Sequence, residues 1–193
     1  MERTIITIGR EYGSGGREVA EKLSAKLGIA LYDKEKLIER AKEKGTFESM
    51  KSFYNEKPID SLLYAIAMDT VDTITGRINR VPFEMMKEIA EQEDCIIVGR
   101  CGNYIFKDHP DALRVFIHAD AGKRTVKIGD QLKLSSDKAA DLVKQMDRER
   151  ASFYRFHTEE EWEDLKNYDL SLDSGIFGVD GCVEMICEAL KRR

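Results

Sequence analysis

Several features that mark other classes of protein are absent from this chain. No apolar run approaches the length that spans a bilayer, so no membrane association is predicted. The net charge is −5, from 31 Lys and Arg against 36 Asp and Glu, which is not the basic excess of a nucleic-acid-binding protein. Basic residues are also not interleaved with aromatic ones, so RNA binding is disfavoured and no nucleic-acid partner is predicted.

Cysteine and histidine patterns typical of metal sites are missing as well. The four cysteines lack CxxC spacing and lie in apolar segments, which favours buried free thiols over disulfides or zinc ligands. The three histidines have no spaced partner set, so no metal site is predicted. The amino terminus shows neither a signal peptide nor a transit sequence, and a cytoplasmic location is therefore expected.

What is present is an alternation of short apolar segments with helical patterns. The 193 residues suffice for a single domain over 1–193. Strands are predicted at Thr4–Ile8, Ile29–Tyr32, Cys95–Val98, Leu113–His118 and Tyr168–Leu172. Strands that alternate with helices predict an α/β fold with a doubly wound, five-stranded parallel sheet.

The helical predictions are less regular between the second and third strands. The stretch from Gly45 to Asp60 has no steady period and is predicted to be a mobile connection or small insertion. Helices are predicted from Asp60 to about Thr75 and from Pro82 to Glu93, with Pro82 in the first turn. A final amphipathic helix is predicted from Val179 to Leu190.

A glycine-rich turn between the first strand and the first helix is the strongest functional signal. Gly9, Gly13, Gly15 and Gly16 favour a backbone cradle for a phosphate at a helix N-terminus, with an ordinary turn as the alternative. The standard phosphate loop reads GxxxxGK[ST]. When Gly15 is aligned with the second glycine of that motif, Arg10 stands at the first glycine. Gly16 then stands at the lysine and Arg17 at the Ser or Thr.

Charged residues follow two further predicted strands. Asp33 comes after the second strand, where it is either a helix N-cap or a hydrogen-bonding partner for a substrate above the sheet. Arg100 follows the third strand, and its guanidinium suits a phosphate or carboxylate, with a surface ion pair as the alternative.

A basic cluster lies in the last third of the chain. Its members are Lys123, Arg124, Lys127, Arg148, Arg150 and Arg155. In an otherwise acidic protein this cluster favours a lid that closes on phosphates. The alternative is a solvated face on which Asp147 and Glu149 pair with the arginines.

These motifs together resemble those of a known family. The segments ITIGREYGSGGREVA, LYDKEKLIERA, CIIVGRCGNYIF, VFIHADAGKRTVK and MDRERASFYR resemble the cytidylate kinases, and more closely the divergent cytidylate kinase-like branch. The resemblance implies a three-layer α/β/α P-loop NTPase fold, with a helical region for the nucleoside monophosphate near 34–93 and a lid near 124–158. It also implies transfer of the γ-phosphoryl group of ATP to CMP or dCMP with Mg²⁺.

The resemblance and the basic cluster together assign roles to individual residues. The donor side consists of Gly13, Ser14, Gly15, Gly16, Arg17, Arg124 and Arg155, with Arg17 as substitute for the missing lysine. The acceptor side consists of Asp33, Arg40, Arg100 and Asp147. The catalytic cations are Arg17, Arg100, Arg148 and Arg150.

Three positions depart from the family pattern. The family has a GRD motif, whose aspartate is replaced here by Cys101, and Gly16 replaces the lysine of the phosphate loop. The family also has an LDTGxxYR segment, whose closing arginine falls on Glu39 here, one residue before Arg40. Because so many arginines are retained, an active nucleoside monophosphate kinase is nevertheless the first hypothesis. A kinase of another small molecule and a non-catalytic nucleotide sensor are the alternatives.

Overall fold

The computed structural model describes residues 3–54 and 71–193. The strands are β1 (Ile5–Arg10), β2 (Ala30–Tyr32), β3 (Cys95–Val98), β4 (Ala112–His118) and β5 (Leu170–Asp173). The helices are α1 (Gly16–Leu27), α2 (Lys34–Glu43), α3 (Phe47–Tyr54), α4 (Val71–Gln92), α5 (Gly102–Ile105), α6 (Ala121–Leu132), α7 (Ser136–Thr158) and α8 (Ser174–Leu190), with a 3₁₀ turn at Leu165–Asn167.

The strands form one parallel sheet in the order β2-β3-β1-β4-β5. Strand β1 is central, and Ile6 pairs with Ile96 on one side and with Leu113 on the other. A strand with neighbours on both sides and helices over both faces is buried throughout, which explains its uninterrupted β-branched run. The predicted parallel five-stranded sheet is confirmed.

Alternate residues of β1 belong to two separate cores. Ile6 and Ile8 pack with residues of α1 and α8, whereas Ile5 packs with residues of α2, α3 and α4. Helical layers on both faces of the sheet make the three-layer α/β/α architecture. No helix in the described ranges is long and apolar enough to cross a membrane.

The region between β2 and β3 differs from the sequence prediction. Phe47–Tyr54 is helical, and Met50, Phe53 and Tyr54 are buried against the core, although an irregular connection was predicted there. Pro82 lies inside α4 and not in its first turn. Burial of Met86 and other apolar side chains of α4 stabilises a helix that continues past the proline. Residues 55–70, which include most of the predicted Asp60–Thr75 helix, lie outside the described residues.

The last helix also starts earlier than predicted. Helix α8 begins at Ser174, with the Asp173 side chain accepting a hydrogen bond from the Gly175 amide. A kink at Gly178, where φ is 66° and ψ is 174°, separates this first turn from the predicted amphipathic part. The carboxyl end of β5 is thereby joined directly to a helix N-terminus.

An aromatic cluster joins α3 to the end of α7. The His157 ring packs at centroid distances of 5.0 Å from Phe53, 4.4 Å from Phe153 and 4.9 Å from Phe156. Burial lowers the pKa of His157 to about 3, and the positive charge of Arg100 adds to the effect. The imidazole is therefore neutral in the folded protein at physiological pH.

This histidine should make the protein sensitive to acid. Between about pH 6.5 and pH 3 the unfolded chain binds a proton at His157 that the native state does not, so stability falls as the pH falls. His157→Phe should lower the slope of unfolding free energy against pH by up to about 1.4 kcal/mol per pH unit in this window. Urea unfolding of both proteins at several pH values measures the slope of unfolding free energy against pH. Above pH 7 the two slopes should be equal. Equal slopes below pH 6 would contradict the prediction.

Candidate active site

A tight turn connects β1 to α1. Gly13 and Gly15 both have φ of +81°, in the left-handed region that glycine adopts without steric penalty. The buried Ser14 hydroxyl donates a hydrogen bond to the Glu11 carbonyl oxygen at 2.9 Å. The turn leads into Gly16, the first residue of α1. The N–H groups of a first helical turn lack intrahelical partners, so this end of α1 favours an anion.

Helix α6 lies against this turn. A Cβ atom added to Gly13 would lie 3.0 Å from the side chain of Ile128, and one added to Gly15 would lie 3.2 Å from Nζ of Lys127. Lys127 also pairs with Glu18 at 2.7 Å. Glycine at these two positions therefore lets α6 pack closely on the turn and brings the ammonium group of Lys127 beside it.

Arg124 ties the turn to α7. Its guanidinium donates to the Tyr12 carbonyl oxygen at 3.0 Å and to the Ala119 carbonyl oxygen at 2.9 Å. It also pairs with Glu11 at 3.2 Å and with Asp147 at 2.5 Å, and Asp147 accepts the Tyr12 amide at 2.7 Å. Burial raises the pKa of Glu11, and its contacts with Ala119 and Arg124 oppose that shift. Loop, β4 and α7 are thus joined through one buried guanidinium.

Three arginines line one cavity at the carboxyl edge of the sheet. Arg10 ends β1, Arg100 follows β3, and Arg150 comes from α7. The cavity measures about 30 Å³, which is room for one or two water molecules. Its other walls include the aromatic side chains of Phe153, Tyr154 and Trp162. A low-dielectric wall strengthens the attraction of the arginines for an anion.

Contacts with the backbone fix two of these arginines in place. Arg100 is 5% exposed, donates to the Phe53 carbonyl oxygen at 2.9 Å and lies 4.9 Å from the centre of the Phe153 ring. Arg150 donates to the Arg10 carbonyl oxygen at 3.0 Å. Arg100 therefore connects the core to α3 and α7, and Arg150 lies over the end of β1.

The turn that carries Arg100 is strained. Gly99, Arg100 and Cys101 have φ values of 71°, 52° and 57°, and the left-handed region costs a non-glycine residue on the order of 1 kcal/mol or more. A hydrogen bond from the Gly102 amide to the Gly99 carbonyl oxygen at 3.0 Å closes the turn. Burial raises the pKa of the Cys101 thiol, so this position carries no negative charge.

Comparison with known proteins identifies the family. The model of the cytidylate kinase-like family matches residues 5–176. The chain belongs to the cytidylate kinase-like family. A cytidylate kinase from Archaeoglobus fulgidus is 29% identical over 197 aligned positions, which cover 96% of this chain and 94% of that protein. This membership supports a kinase that acts on a nucleotide or another small molecule.

Solved structures agree with this fold. An uncharacterized protein from Eubacterium ventriosum is 30% identical, with a TM-score of 0.76 over 99% of this chain and 100% of that chain. A shikimate kinase from Bacteroides thetaiotaomicron has a TM-score of 0.55 at 14% identity, over 97% and 98% of the two chains. A gluconokinase from Sinorhizobium meliloti has a TM-score of 0.54 at 11% identity, over 99% and 93%. The last two comparisons show the fold alone.

Arg17 has a different position from the one predicted for it. Its guanidinium does not reach back over the loop, because it contacts Asp33 at 2.9 Å and Glu21 at 3.0 Å, and the side chain is 61% exposed. Asp33 also accepts the Lys36 amide at 3.0 Å and is therefore the N-cap of α2. The predicted ligand roles of Arg17 and Asp33 stay predictions.

The structure does not bring Arg40 to the cavity. Arg40 contacts Gln92 at 3.3 Å and Glu43 at 3.4 Å. Gln92 ends α4 just before β3 begins, so Arg40 lies toward the amino edge of the sheet, whereas the cavity lies at the carboxyl edge. Helix α2 runs away from the site after Asp33, which explains this separation.

Helix α7 separates the predicted cations of the lid onto two faces. Asp147 and Arg150 face the loop, since residues three apart share a side of a helix. Arg148 is exposed and donates to the Lys144 carbonyl oxygen of its own helix at 3.2 Å. Arg155 shares that outer face and pairs with Glu161 at 3.2 Å. The structure brings neither Arg148 nor Arg155 to the cavity.

Arg10 was not assigned a role from the sequence, and Lys127 was assigned only to the basic cluster of the predicted lid. Arg10 lines the cavity, and its only signal was that the Gly9-Arg10 step after β1 repeats the Gly99-Arg100 step after β3. Lys127 borders the loop. Nothing in the sequence distinguishes Lys127 from a solvated lysine of the basic cluster.

The buried Arg124 network should carry much of the local stability. Asp147→Ala removes one carboxylate from Arg124 and the acceptor of the Tyr12 amide, so the free energy of unfolding should fall by about 2–4 kcal/mol. The matched control is Glu161→Ala, which breaks an exposed pair with Arg155 and should change stability by less than about 0.5 kcal/mol. Denaturant unfolding measures both. Equal effects would show that the network is not structural.

Proposed function

We propose that the protein transfers the γ-phosphoryl group of ATP to a nucleoside monophosphate, with CMP or dCMP as the expected acceptor. The observation that carries the proposal is the convergence of Arg10, Arg100 and Arg150 on one cavity beside the glycine-rich loop. The site lies at the carboxyl edge of a parallel sheet, where ligands of such folds bind. The 29% identical cytidylate kinase supports the choice of acceptor.

Phosphoryl transfer requires positioning and charge stabilisation from this chain. An oxygen of the acceptor phosphate forms a bond to the γ-phosphorus, the bond to the bridging β,γ-oxygen breaks, and ADP leaves with that electron pair. The amides of Gly13 to Gly16 hold the donor phosphates. Arg100 holds the acceptor phosphate, and Arg150 neutralises charge on the transferred group. These cations act through charge and hydrogen bonds and need not change their protonation.

The strand order assigns the remaining predicted residues to the acceptor side or to the lid. Strand β2 neighbours β3 in the sheet, so Asp33 and Arg17 lie on the side of Arg100, which we assign to the acceptor. Helices α2 to α4 then form the monophosphate-binding region near 34–93. Helices α6 and α7 form the lid near 124–158, in which Arg124 and Asp147 position the loop from within. The proposal gives no role to Arg40, Arg148 or Arg155.

The residues fit ATP better than they fit a protein-bound Mg²⁺. The glycine-rich turn ahead of the N-terminus of α1 suits the donor phosphates. The Ser14 hydroxyl is turned to the Glu11 carbonyl oxygen, and Arg17 occupies the usual Ser/Thr position. In the described ranges no group of three or more His, Cys, Asp or Glu side chains could hold a metal ion. Mg²⁺ would therefore be held by the nucleotide phosphates and water, and no step above depends on a protein ligand.

The acceptor must enter through a movement of the cavity walls. A space of about 30 Å³ is too small for a nucleoside monophosphate. Phe153 and Tyr154 form part of these walls, so movement of their rings would enlarge the cavity. Closure over bound substrate would exclude water from the transferred group.

The decisive experiment is ATP consumption by the purified protein with Mg²⁺ and each of CMP, dCMP, UMP, AMP and GMP. Consumption with one pyrimidine monophosphate is expected. Arg150→Ala and Arg100→Lys should each lower kcat/KM by about 10²–10³, because each alters a cation that the transition state needs. The matched control is Arg192→Ala, an arginine that is 76% exposed and pairs with Glu188. Its activity should equal that of the wild type.

The outcomes separate the alternatives. Turnover that survives Arg150→Ala and Arg100→Lys would remove the cavity from the mechanism. Binding of ATP or CMP without turnover of any of the five acceptors would replace the proposal with a nucleotide sensor or a kinase of another small molecule. Thermal unfolding of each variant shows whether a loss of activity reflects a loss of fold, which matters most for the buried Arg100.

A further inference from the structure

The position of the usual phosphate-loop lysine is closed by another residue. A Cβ atom added to Gly16 would overlap the Cβ of Arg10 and lie 2.9 Å from its Cγ. A Cβ atom is fixed by its own backbone and cannot rotate aside. A side chain at position 16 and the side chain of Arg10 therefore compete for the same space.

From that point the Arg10 side chain runs toward β3. A Cβ added to Gly99 would overlap Nη1 of Arg10 and lie 3.6 Å from Nη2, so the guanidinium lies against the carboxyl end of that strand. This places it at the cavity that Arg100 and Arg150 also line. Arg150 reinforces the arrangement by donating to the Arg10 carbonyl oxygen at 3.0 Å.

We infer that Arg10 supplies the positive charge that a lysine supplies in the standard phosphate loop. The cation comes from the first position of the loop, and Gly16 is needed so that Arg10 can cross the start of α1. A guanidinium in this place has paired N–H donors for β- and γ-phosphate oxygens, which an ammonium group lacks. The inference rests on the proposed function, since it names the residue that holds the donor phosphates.

Arg17 is the competing candidate, because it was predicted from the sequence for the same task. Its contacts with Asp33 and Glu21 direct it toward the start of α2, and the side chain is largely exposed. Arg10 instead lies between the loop and the cavity. The two arginines therefore make a matched pair for substitution.

The first test is calorimetric binding of ATP and of inorganic tripolyphosphate, which need no turnover. Arg10→Met keeps much of the side-chain volume without the charge and should weaken both ligands by about 10- to 100-fold. Arg17→Met should weaken them less than about threefold. The reverse order, or an Arg10→Met protein that binds like the wild type, would overturn the inference.

The second test moves the cation. Gly16→Lys adds a positive charge but overlaps Arg10, so it should weaken tripolyphosphate binding. The double variant Arg10→Gly with Gly16→Lys removes the overlap and restores the usual arrangement. It should bind tripolyphosphate at least tenfold more tightly than Gly16→Lys alone. A Gly16→Lys protein that binds as well as the wild type would show that the two positions do not compete. If Arg10→Met fails to fold by thermal unfolding, Arg10→Lys replaces it, with an intermediate affinity expected.

Binding also keeps the two proposals distinguishable. If the wild type binds tripolyphosphate but phosphorylates no acceptor, the kinase proposal fails. The relative tripolyphosphate affinities of Arg10→Met and Arg17→Met still decide whether Arg10 is the phosphate-binding cation. A wild-type protein that does not bind tripolyphosphate at all would overturn the assignment of Arg10.

Discussion

The geometry of the site depends on one buried guanidinium. Arg124 contacts Glu11 and Tyr12 in the loop and Asp147 on α7. Separating α7 from the loop would leave this charge without its partners in a poorly solvated place, which is costly. Arg150 lies one turn beyond Asp147 and is thereby held over the end of β1. Loop and inner face of α7 are therefore expected to move together, and entry to the cavity must come from its aromatic wall.

Close approach explains why the loop departs from its usual sequence at two positions. An arginine in the first position and a glycine at the lysine position look like independent losses when the sequence is read alone. In the structure the Arg10 side chain occupies the space above Gly16, so the arginine in the first position requires the glycine at the lysine position. Gly99 must likewise lack a Cβ atom, because the guanidinium end of the Arg10 side chain lies against it. A loop that lacks its lysine is thus not by itself a loop that lacks its cation.

The sequence predicted the sheet well because burial on both faces leaves a direct signal, as in the β-branched run from Thr4 to Ile8. Helix α3 was missed because its eight residues make little more than two turns, which is too short for the buried Met50 and Phe53 to establish a period. Side-chain direction was predicted least well. Asp33 and Glu21 draw Arg17 outward, and the rotation of α7 turns Arg148 away from the cavity. Such choices depend on partners from distant segments or on helix packing, which a local motif does not contain.

The electrostatics of the cavity follow from what surrounds Arg100. The family pattern places an aspartate beside this arginine, whereas Cys101 is a buried neutral thiol here. The nearby imidazole of His157 is also neutral, because its burial lowers its pKa to about 3. Neither of these two neighbours contributes charge, so in the proposed site the positive potential comes from arginines that are already positioned. A strained turn fixes Arg100, and Arg150 bonds to the backbone of Arg10. In the proposed phosphoryl transfer, such preorganised charge would need little rearrangement, and this is how cations at a site of this kind lower the barrier.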